Sequence, residues 1–239
     1  MYTYNSANSL SIVIPILNEK QNLKNLTEQI YKNTKNLKIE VIFIDDDSKD
    51  GSYKILKLLK RKYRNFRYFI RKKNKDLTQS CFFGIQKSKY KNILIMDGDG
   101  QHNPIYISKM FKIFLKERAD FVIGVRRFED IDESLSFIRF VASKILIFLI
   151  SFLFKKKTTD PMSGFFLFKK KFYIKNKKIF FGKGYKILAD FIYSTPEKLK
   201  IIDYKIKFII RKKGKSKISF KILMILIFFI FSRTLKLNR

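Results

Sequence analysis

The sequence predicts an α/β fold in which a mostly parallel central sheet is flanked by helices. Apolar runs of β type alternate with segments of helical periodicity through the first half of the 239-residue chain. These runs are almost continuously hydrophobic, which is typical of strands that are covered on both faces. Acidic clusters follow two of the runs directly, where open α/β sheets place their ligands.

Five strands are predicted from the apolar runs, at residues 10–16, 39–44, 66–70, 92–96 and 119–125. Helices are predicted between them. The residues expected to face the core are Leu23, Leu26 and Ile30 in the first helix, and Ile55, Leu58 and Leu59 in the second. Asn103 and Pro104 are expected to cap and begin a helix that continues through Phe111 and Phe114.

The charge of the chain indicates an anionic partner without naming it. There are 52 Lys and Arg against 20 Asp and Glu, a formal charge of +32. Such a surface suits nucleic acid, an acidic membrane surface or a phosphorylated substrate. Biased use of Lys, Ile, Phe and Asn along the whole chain explains the charge equally well. Charge alone therefore selects none of the three partners.

The single cysteine and the sequence of residues 1–10 favour a protein that stays in the cytoplasm. Cys81 is the single cysteine, so no internal disulfide can form, which fits a reducing cytoplasm. We expect its side chain to be a small, buried apolar group. Residues 1–10 lack the basic and then apolar order of a signal peptide, so export is not expected.

Two apolar segments follow the predicted sheet. Residues 137–154 are almost wholly apolar and end at three lysines, and residues 222–231 form an unbroken apolar run between basic residues. Neither reaches the roughly 20 residues that a membrane-spanning helix needs. We expect interfacial helices that hold the protein, peripheral or shallowly inserted, at the cytoplasmic face of an anionic membrane. Buried core helices are the alternative.

The length of the chain suits one α/β domain with a modest appendage. Residues 1–200 are predicted to form the catalytic domain, which includes an interfacial helix region at residues 135–157. Residues 201–239 are predicted to form an acceptor-site segment that ends in a membrane-associated helix.

The strongest local signal for chemistry is the turn that follows the fourth predicted strand. Asp97 and Asp99 stand one residue apart there, and both can reach one hard divalent cation. Gly98 is expected to let the backbone bend between them, and Gln101 can add a neutral oxygen ligand. Oxygen ligands favour Mg²⁺ or Mn²⁺, whereas a single cysteine provides no thiolate cluster for zinc.

A second acidic turn follows the second predicted strand. Residues 45–47 are all aspartates, and carboxylates in such a turn can accept hydrogen bonds from a base or a ribose. Ser48, Asp50 and Gly51 are expected to shape the turn and cap the next helix. Five of the 20 acids thus stand at two strand ends, which are expected to be adjacent. In a chain with so few acids, this placement favours a functional site over a solvated charge run.

Six motifs occur in an order that is similar to that of a known family. They are SIVIP with NE (residues 11–19), DDDSKDGS (45–52), DGDGQH (97–102), GVR (124–126), DPMSGF (160–165) and RKKGKSK (211–217). The chain resembles family two glycosyltransferases of the GT-A fold, and within them the dolichol-phosphate mannose synthase group. The resemblance implies metal-dependent transfer of a sugar from a nucleotide diphosphate to polyprenyl or dolichyl phosphate, with inversion. The sugar would be mannose from GDP-mannose, or another hexose.

The resemblance also implies roles for individual residues. The nucleotide pocket would be lined by Pro15, Leu17, Glu19, Asp45 and Asp47. The metal would be held by Asp97, Asp99 and Gln101, and catalysis would rest on Asp97, Asp99 and Arg126. The lipid phosphate would be bound by Arg126, Arg139, Ser143, Arg211 and Lys217. Arg139 and Ser143 are four residues apart, so they would share one face of a helix.

Two other functions stay open on the sequence. A transferase of the same fold that acts on a hydroxyl of a glycan or cell-surface carrier would need a carboxylate base, first Asp160 and second Asp190. A polyanion-binding protein without enzymatic activity would explain the charge, but neither the acidic turns nor the terminal apolar run. A nucleic acid partner is therefore not expected. His102 is the single histidine, so other base candidates are few.

Overall fold

The computed structural model describes residues 8–72, 75–126, 157–184, 187–196 and 198–207. The strands in these ranges are β1 (Ser9–Ile16), β2 (Lys38–Asp45), β3 (Phe66–Ile70), β4 (Asn92–Met96), β5 (Phe121–Arg126), β6 (Phe165–Lys169) and β7 (Ile201–Ile206). The helices are α1 (Lys20–Asn33), α2 (Ser52–Lys62), α3 (Leu77–Lys87), α4 (Tyr106–Lys116), α5 (Lys170–Asn176) and α6 (Ile187–Ser194).

The described strands form one sheet in the order β3-β2-β1-β4-β6-β5-β7. Neighbouring strands are parallel except at β6, which runs antiparallel to both β4 and β5. The predicted mostly parallel sheet is confirmed, and the five predicted strands lie within two residues of their expected ends. β6 and β7 are not among the predicted strands, because five or six residues among basic segments give little periodicity.

Helices cover both faces of the sheet. On one face, α1, α2 and α4 enclose a core that includes Ile14, Ile30 and Phe111. On the other face, α3, α5 and α6 enclose a core that includes Val13 and Phe191. Val13 and Ile14 are neighbours in β1 that point to opposite faces, as the two-residue repeat of a strand requires. Burial on both sides explains why the central strands are continuously hydrophobic.

The buried face of α2 differs from the predicted one. Leu59 is buried as expected, but Leu58 is 58% exposed, and Leu56 is fully buried. Ser52, Leu56 and Leu59 face the core at spacings of four and three residues, which is the repeat of a helical stripe. Leu58 stands two residues from Leu56 and therefore points away from that stripe.

Helix α4 begins later than predicted. Its first residue is Tyr106, and Asn103 and Pro104 lie in a turn before it. Asn103 Oδ1 accepts a hydrogen bond from Ile105 N at 3.0 Å, and Pro104 O accepts one from Ile107 N at 3.1 Å. Asn103 therefore stabilises the turn that leads into the helix.

The carboxyl ends of the parallel strands meet at one side of the sheet, here called the carboxyl edge. β1, β2, β4 and β5 end there, at Ile16, Asp45, Met96 and Arg126. Because β6 is antiparallel, it begins at this edge, and its Phe165 pairs with Met96 of β4. Residues 160–164, which lead into β6, therefore also lie at the carboxyl edge.

Candidate active site

The turn after β4 holds the two aspartates expected to bind a metal. The Asp97 side chain is 35% exposed, and Nε2 of the buried His102 lies 3.4 Å from Asp97 Oδ2. The His102 ring packs against Phe165, with 5.3 Å between ring centroids. Asp99 Oδ1 accepts a hydrogen bond from Gln101 N at 3.0 Å. Asp97, Asp99 and Gln101 thus share one compact turn, and His102 adjoins Asp97.

Two glycines determine how this turn packs. A Cβ on Gly98 would collide with Ile16, so the turn lies closely against the end of β1. A Cβ on Gly164 would overlap the Asp97 carboxylate, so the segment before β6 lies directly beside that side chain. Gly100, rather than Gly98, adopts the left-handed conformation, with a φ of 79°. Gly98 is therefore needed for close packing, which corrects the role expected for it.

A small cavity of about 30 Å³ adjoins the Asp97 side chain. Its other lining residues include Cys81, Met162, Gly164 and Leu188. Cys81 is buried, as predicted, and burial raises the pKa of its thiol well above the ordinary value. The cavity wall beside Asp97 is therefore mostly apolar.

The acidic turn after β2 is not adjacent to the turn after β4, because β1 lies between these strands in the sheet. The loop after β1 connects the two turns. Asn18 N donates to Ser48 Oγ at 2.7 Å, and Lys20 N donates to Asp50 Oδ2 at 2.8 Å. At its other side, Ile16 contacts the turn after β4. Three loops thus form one continuous surface at the carboxyl edge.

The first three residues expected in the nucleotide pocket lie at the end of β1 and in the loop after it. Pro15 is buried in β1, Leu17 is half-buried, and Glu19 is 5% exposed. Glu19 Oε2 accepts a hydrogen bond from Asn22 Nδ2 at 2.7 Å. Asn22 Oδ1 lies 4.0 Å from where a Cβ on Gly100 would be. The Glu19–Asn22 pair therefore borders the turn after β4.

The two aspartates expected in the nucleotide pocket, Asp45 and Asp47, have different environments. Asp45 is 1% exposed, and its Oδ1 accepts hydrogen bonds from the amide (3.0 Å) and hydroxyl (2.5 Å) of Ser48. Burial raises the pKa of Asp45, which the Ser48 hydrogen bonds partly offset. Asp47 has a φ of 59° and is paired with Lys49 at 2.8 Å and Lys75 at 3.6 Å. Lys49 lowers the pKa of Asp47.

Asp46 has no role in the sequence-based prediction, yet it anchors the turn. Its Oδ1 accepts hydrogen bonds from Arg71 Nη1 at 2.7 Å and from the Ser80 hydroxyl, and its Oδ2 accepts one from Asp76 N at 2.9 Å. Burial raises the pKa of Asp46, while Ser80 and Arg71 oppose the rise. Asp76 caps α3 and accepts a hydrogen bond from Gly184 N at 2.7 Å. This network ties the acidic turn to β3, α3 and the loop before α6.

Arg126, at the end of β5, is held by Asp160. Its Nε and Nη2 donate to Asp160 Oδ2 and Oδ1, at 2.7 and 2.9 Å. Burial acts to lower the pKa of Arg126, but the Asp160 hydrogen bonds and the charges of Asp160 and Asp97 outweigh it and raise the pKa. Gly164, four residues after Asp160, lies directly beside the Asp97 carboxylate. The structure brings these three residues together.

Comparison with known proteins identifies the family. The sequence pattern described as glycosyl transferase family 2 matches residues 11–176, which is more than half of the chain. The chain belongs to glycosyl transferase family 2. It is accordingly a glycosyltransferase.

Named relatives support this family 2 assignment. The dolichol-phosphate mannosyltransferase of Saccharomyces cerevisiae is 30% identical over 224 residues, 90% of this chain and 82% of the relative. That of Pyrococcus furiosus is 30% identical over 217 residues, 89% of this chain and 60% of the relative.

A solved structure shows the same fold. It is glucosyl-3-phosphoglycerate synthase from Mycobacterium tuberculosis in complex with Mn²⁺, UDP-glucose and phosphoglyceric acid. It is 15% identical to this chain, and the match has a TM-score of 0.71 over 95% of this chain and 80% of that chain. The fold of this family 2 glycosyltransferase is therefore GT-A.

The side chains of this glycosyltransferase expected to hold a metal are those of Asp97, Asp99 and Gln101. Within the described ranges, no three His, Cys, Asp or Glu side chains gather as a metal site would require. Two carboxylates and an amide nevertheless suit Mg²⁺ or Mn²⁺. Such ions bind one or two carboxylates together with the phosphates of a substrate. The donor set therefore fits a cation that binds with a diphosphate.

Asp190, the second candidate base for a hydroxyl acceptor, organises a loop in this enzyme. It is 2% exposed, and its Oδ1 accepts hydrogen bonds from Phe181 N at 2.9 Å and Ser194 Oγ at 2.6 Å. Its Oδ2 accepts one from Gly182 N at 2.8 Å. Both oxygens thus hold the loop before α6.

Four of the five residues expected at a lipid phosphate lie outside the described residues, namely Arg139, Ser143, Arg211 and Lys217. The apolar segments at residues 137–154 and 222–231 lie outside them too. In the part of the family 2 chain that is described, no helix has the length and hydrophobicity to cross a membrane. Arg126 is the member of the expected acceptor group whose surroundings the structure gives.

Proposed function

We propose that this glycosyltransferase transfers a hexose, with GDP-mannose as the first donor to test, to polyprenyl or dolichyl phosphate with inversion. It would act at the cytoplasmic face of a membrane, as a peripheral or shallowly inserted protein. The two relatives named dolichol-phosphate mannosyltransferase support this choice of acceptor and of mannose as the sugar.

One observation favours a phosphate acceptor over a hydroxyl acceptor. A hydroxyl acceptor needs a general base, and the two candidate bases are committed to other contacts. Asp160 directs both oxygens to Arg126, and Asp190 directs both to the loop before α6. A phosphate monoester has a second pKa of about 6, so it is mostly ionised at neutral pH and needs no base. The arrangement of carboxylates therefore suits a phosphate nucleophile.

The donor would occupy the surface formed by the three loops at the carboxyl edge. The carboxylates of Asp45 and Glu19 would accept hydrogen bonds from the nucleoside, and Asp97, Asp99 and Gln101 would hold Mg²⁺ or Mn²⁺. When bound, that cation would neutralise the diphosphate leaving group. The solved GT-A neighbour, crystallised with Mn²⁺ and UDP-glucose, supports a metal-dependent donor site.

Arg126 would bind the acceptor phosphate beside the donor site. The side chain is 30% exposed, and two hydrogen bonds to Asp160 fix the direction of its guanidinium. Its charge would offset the repulsion between the acceptor phosphate and the donor diphosphate. Attack by the phosphate oxygen from the side opposite the leaving group would invert the anomeric centre.

The sheet topology supports a membrane at the carboxyl edge. β5 and β7 are parallel neighbours, and Arg126 pairs with Ile206 near the end of both strands. The sequence stretches that contain the two apolar segments continue from these two strand ends. Arg126 and Lys207, after which these stretches follow in the sequence, therefore lie at one corner of the described sheet. This corner would face the lipid.

Transfer of radiolabel followed by solvent extraction tests the proposal. With GDP-mannose, Mn²⁺ and polyprenyl phosphate, we expect the label to move into the organic phase. Asp97→Asn should abolish the transfer. Asp120→Asn, at the amino-terminal end of β5 and away from the carboxyl edge, should leave it intact. Label that moves only to a soluble glycan would support the hydroxyl-acceptor alternative and contradict the lipid phosphate.

A further inference from the structure

The segment that leads into β6 is fastened to β7 by one carboxylate. Asp203 Oδ1 accepts a hydrogen bond from Thr158 Oγ1 at 2.6 Å. Asp203 Oδ2 accepts two more, from N and Oγ1 of Thr159, both at 2.7 Å. Thr158 is 3% exposed, so water competes little for its hydroxyl. Three hydrogen bonds to one charged group make this a strong attachment.

Thr158, which is held by Asp203, in turn holds the backbone of Asp160. Asp160 N donates to Thr158 Oγ1 at 3.3 Å, and Asp160 O accepts a hydrogen bond from Ser163 N at 3.2 Å. The Ser163 hydroxyl donates to Gly124 O of β5 at 2.7 Å. The backbone of Asp160 is therefore held from β7 on one side and from β5 on the other. Its carboxylate, fixed in this way, binds Arg126.

We propose that Asp203 is a positioning residue for the acceptor phosphate, because it holds Thr158 and Thr159 and, through them, the Asp160 carboxylate that orients Arg126. This inference rests on the proposed function, in which Arg126 binds that phosphate. Arginine loses much rotational entropy when it is fixed. A partner that fixes it before the acceptor arrives therefore strengthens binding. Asp203 would affect the acceptor and not the donor, whose expected residues lie at the ends of β1 and β2 and in the loops after β1, β2 and β4.

Steady-state kinetics of four variants test the role of Asp203. Asp203→Asn and Thr158→Val should each raise the KM for polyprenyl phosphate about tenfold, the ratio expected when one hydrogen bond to a charged group is lost. The KM for the nucleotide sugar should not change. Thr158→Ser keeps the hydroxyl and should restore wild-type values.

Asp120→Asn is the matched control. Asp120 also links β5 and β7, by accepting a hydrogen bond from Lys200 N at 3.0 Å. It lies at the amino-terminal ends of these strands, away from the carboxyl edge. Its KM values should equal those of the wild type.

The possible outcomes separate the two proposals. Equal rises in both KM values, or unchanged values in Asp203→Asn and Thr158→Val, would refute the positioning role alone. A wild-type enzyme that does not use polyprenyl phosphate would refute the proposed function. Thermal unfolding identifies a variant that fails to fold. If Asp203→Asn does not fold, comparing Thr158→Val with Thr158→Ser tests the positioning role instead. These two variants differ in the hydroxyl that donates a hydrogen bond to Asp203.

Discussion

Gly164 and the Asp97 carboxylate occupy neighbouring space at the carboxyl edge, and a Cβ on Gly164 would overlap the carboxylate. Gly164 directly precedes β6, whose first four residues are buried. Asp97, by contrast, is a side chain with 35% of its surface exposed. The side chain is therefore the part that would move if a methyl group were added at Gly164.

We predict that Gly164→Ala lowers kcat/KM about 100-fold, the loss typical of a catalytic group displaced by about 1 Å. The free energy of unfolding should change by less than about 0.5 kcal/mol, because the added methyl group meets the end of a partly exposed side chain and not the backbone. Steady-state kinetics and urea denaturation measure the two effects. Wild-type turnover in this variant would show that the position of Asp97 is not critical.

The buried carboxylate of Asp45 is expected to lower the stability of the fold at neutral pH while it serves to bind the nucleotide sugar. Its burial raises the pKa of its carboxyl above the ordinary value of 3.8, so the ionised form is disfavoured in the folded state. The folded protein therefore loses stability as pH rises from about 4 through the raised pKa of Asp45. We predict that Asp45→Asn unfolds at a higher temperature than wild type at pH 7, with a smaller difference at pH 4, and no longer binds the nucleotide sugar.

Asp47→Asn is a control in which the unfolding temperature at pH 7 should change in the opposite direction. Lys49 lowers the pKa of Asp47, so this carboxylate stabilises the fold above its unfolded pKa, and the contribution is lost as pH falls. The variant should therefore unfold at a slightly lower temperature than wild type at pH 7. Thermal unfolding across pH 4–8 measures both variants, and shifts of the same sign would contradict the assigned environments.

At the scale of single elements, the stripe on α2 gives a direct test of the packing. We predict that Leu56→Ala lowers the free energy of unfolding by about 2–5 kcal/mol, as for other buried leucines. Leu58→Ala removes a side chain that is 58% exposed and should cost less than about 0.5 kcal/mol. Urea denaturation distinguishes the two variants. Equal losses would indicate that both leucines are buried.

The elements could be predicted where burial leaves a periodic pattern. The five strands before residue 127 are mostly hydrophobic, so their positions follow from the sequence. The face of α2 could not be read as easily, because Leu56, Leu58 and Leu59 are close together and equally apolar. β6 could not be predicted from its own sequence, because its place in the sheet depends on distant partners. Its Phe165 pairs with Met96 of β4, which is much earlier in the chain.

The positions of the candidate site residues could be predicted where these residues are close together in the sequence. Asp97, Asp99 and Gln101 lie in one turn, and their spacing indicates a metal. The partners of Arg126 and Asp46 could not be predicted, because Asp160 and Arg71 are 34 and 25 residues away in the chain. One signal for Asp203 does exist. It is an acidic residue within the strand IIDYKI, in a chain with only 20 acids.

At the scale of the whole molecule, the expected site residues that the structure describes lie at the carboxyl edge. The loops after β1, β2 and β4 form the expected donor surface, and Arg126 and Asp160 lie on the side of β5 and β7. With the proposed function, this division would place donor and acceptor on neighbouring parts of the carboxyl edge. A formal charge of +32 suits two anionic substrates and an anionic membrane.

Thermal unfolding in the presence of nucleotide sugars, with and without Mn²⁺, tests the central claim that Asp97 and Asp99 bind the donor through a cation. We predict that GDP-mannose stabilises the wild type when Mn²⁺ is present, by about 2.7 kcal/mol at 100 times its Kd. The stabilisation should vanish in chelator and in Asp97→Asn. An equal shift without metal, or in Asp97→Asn, would contradict the claim.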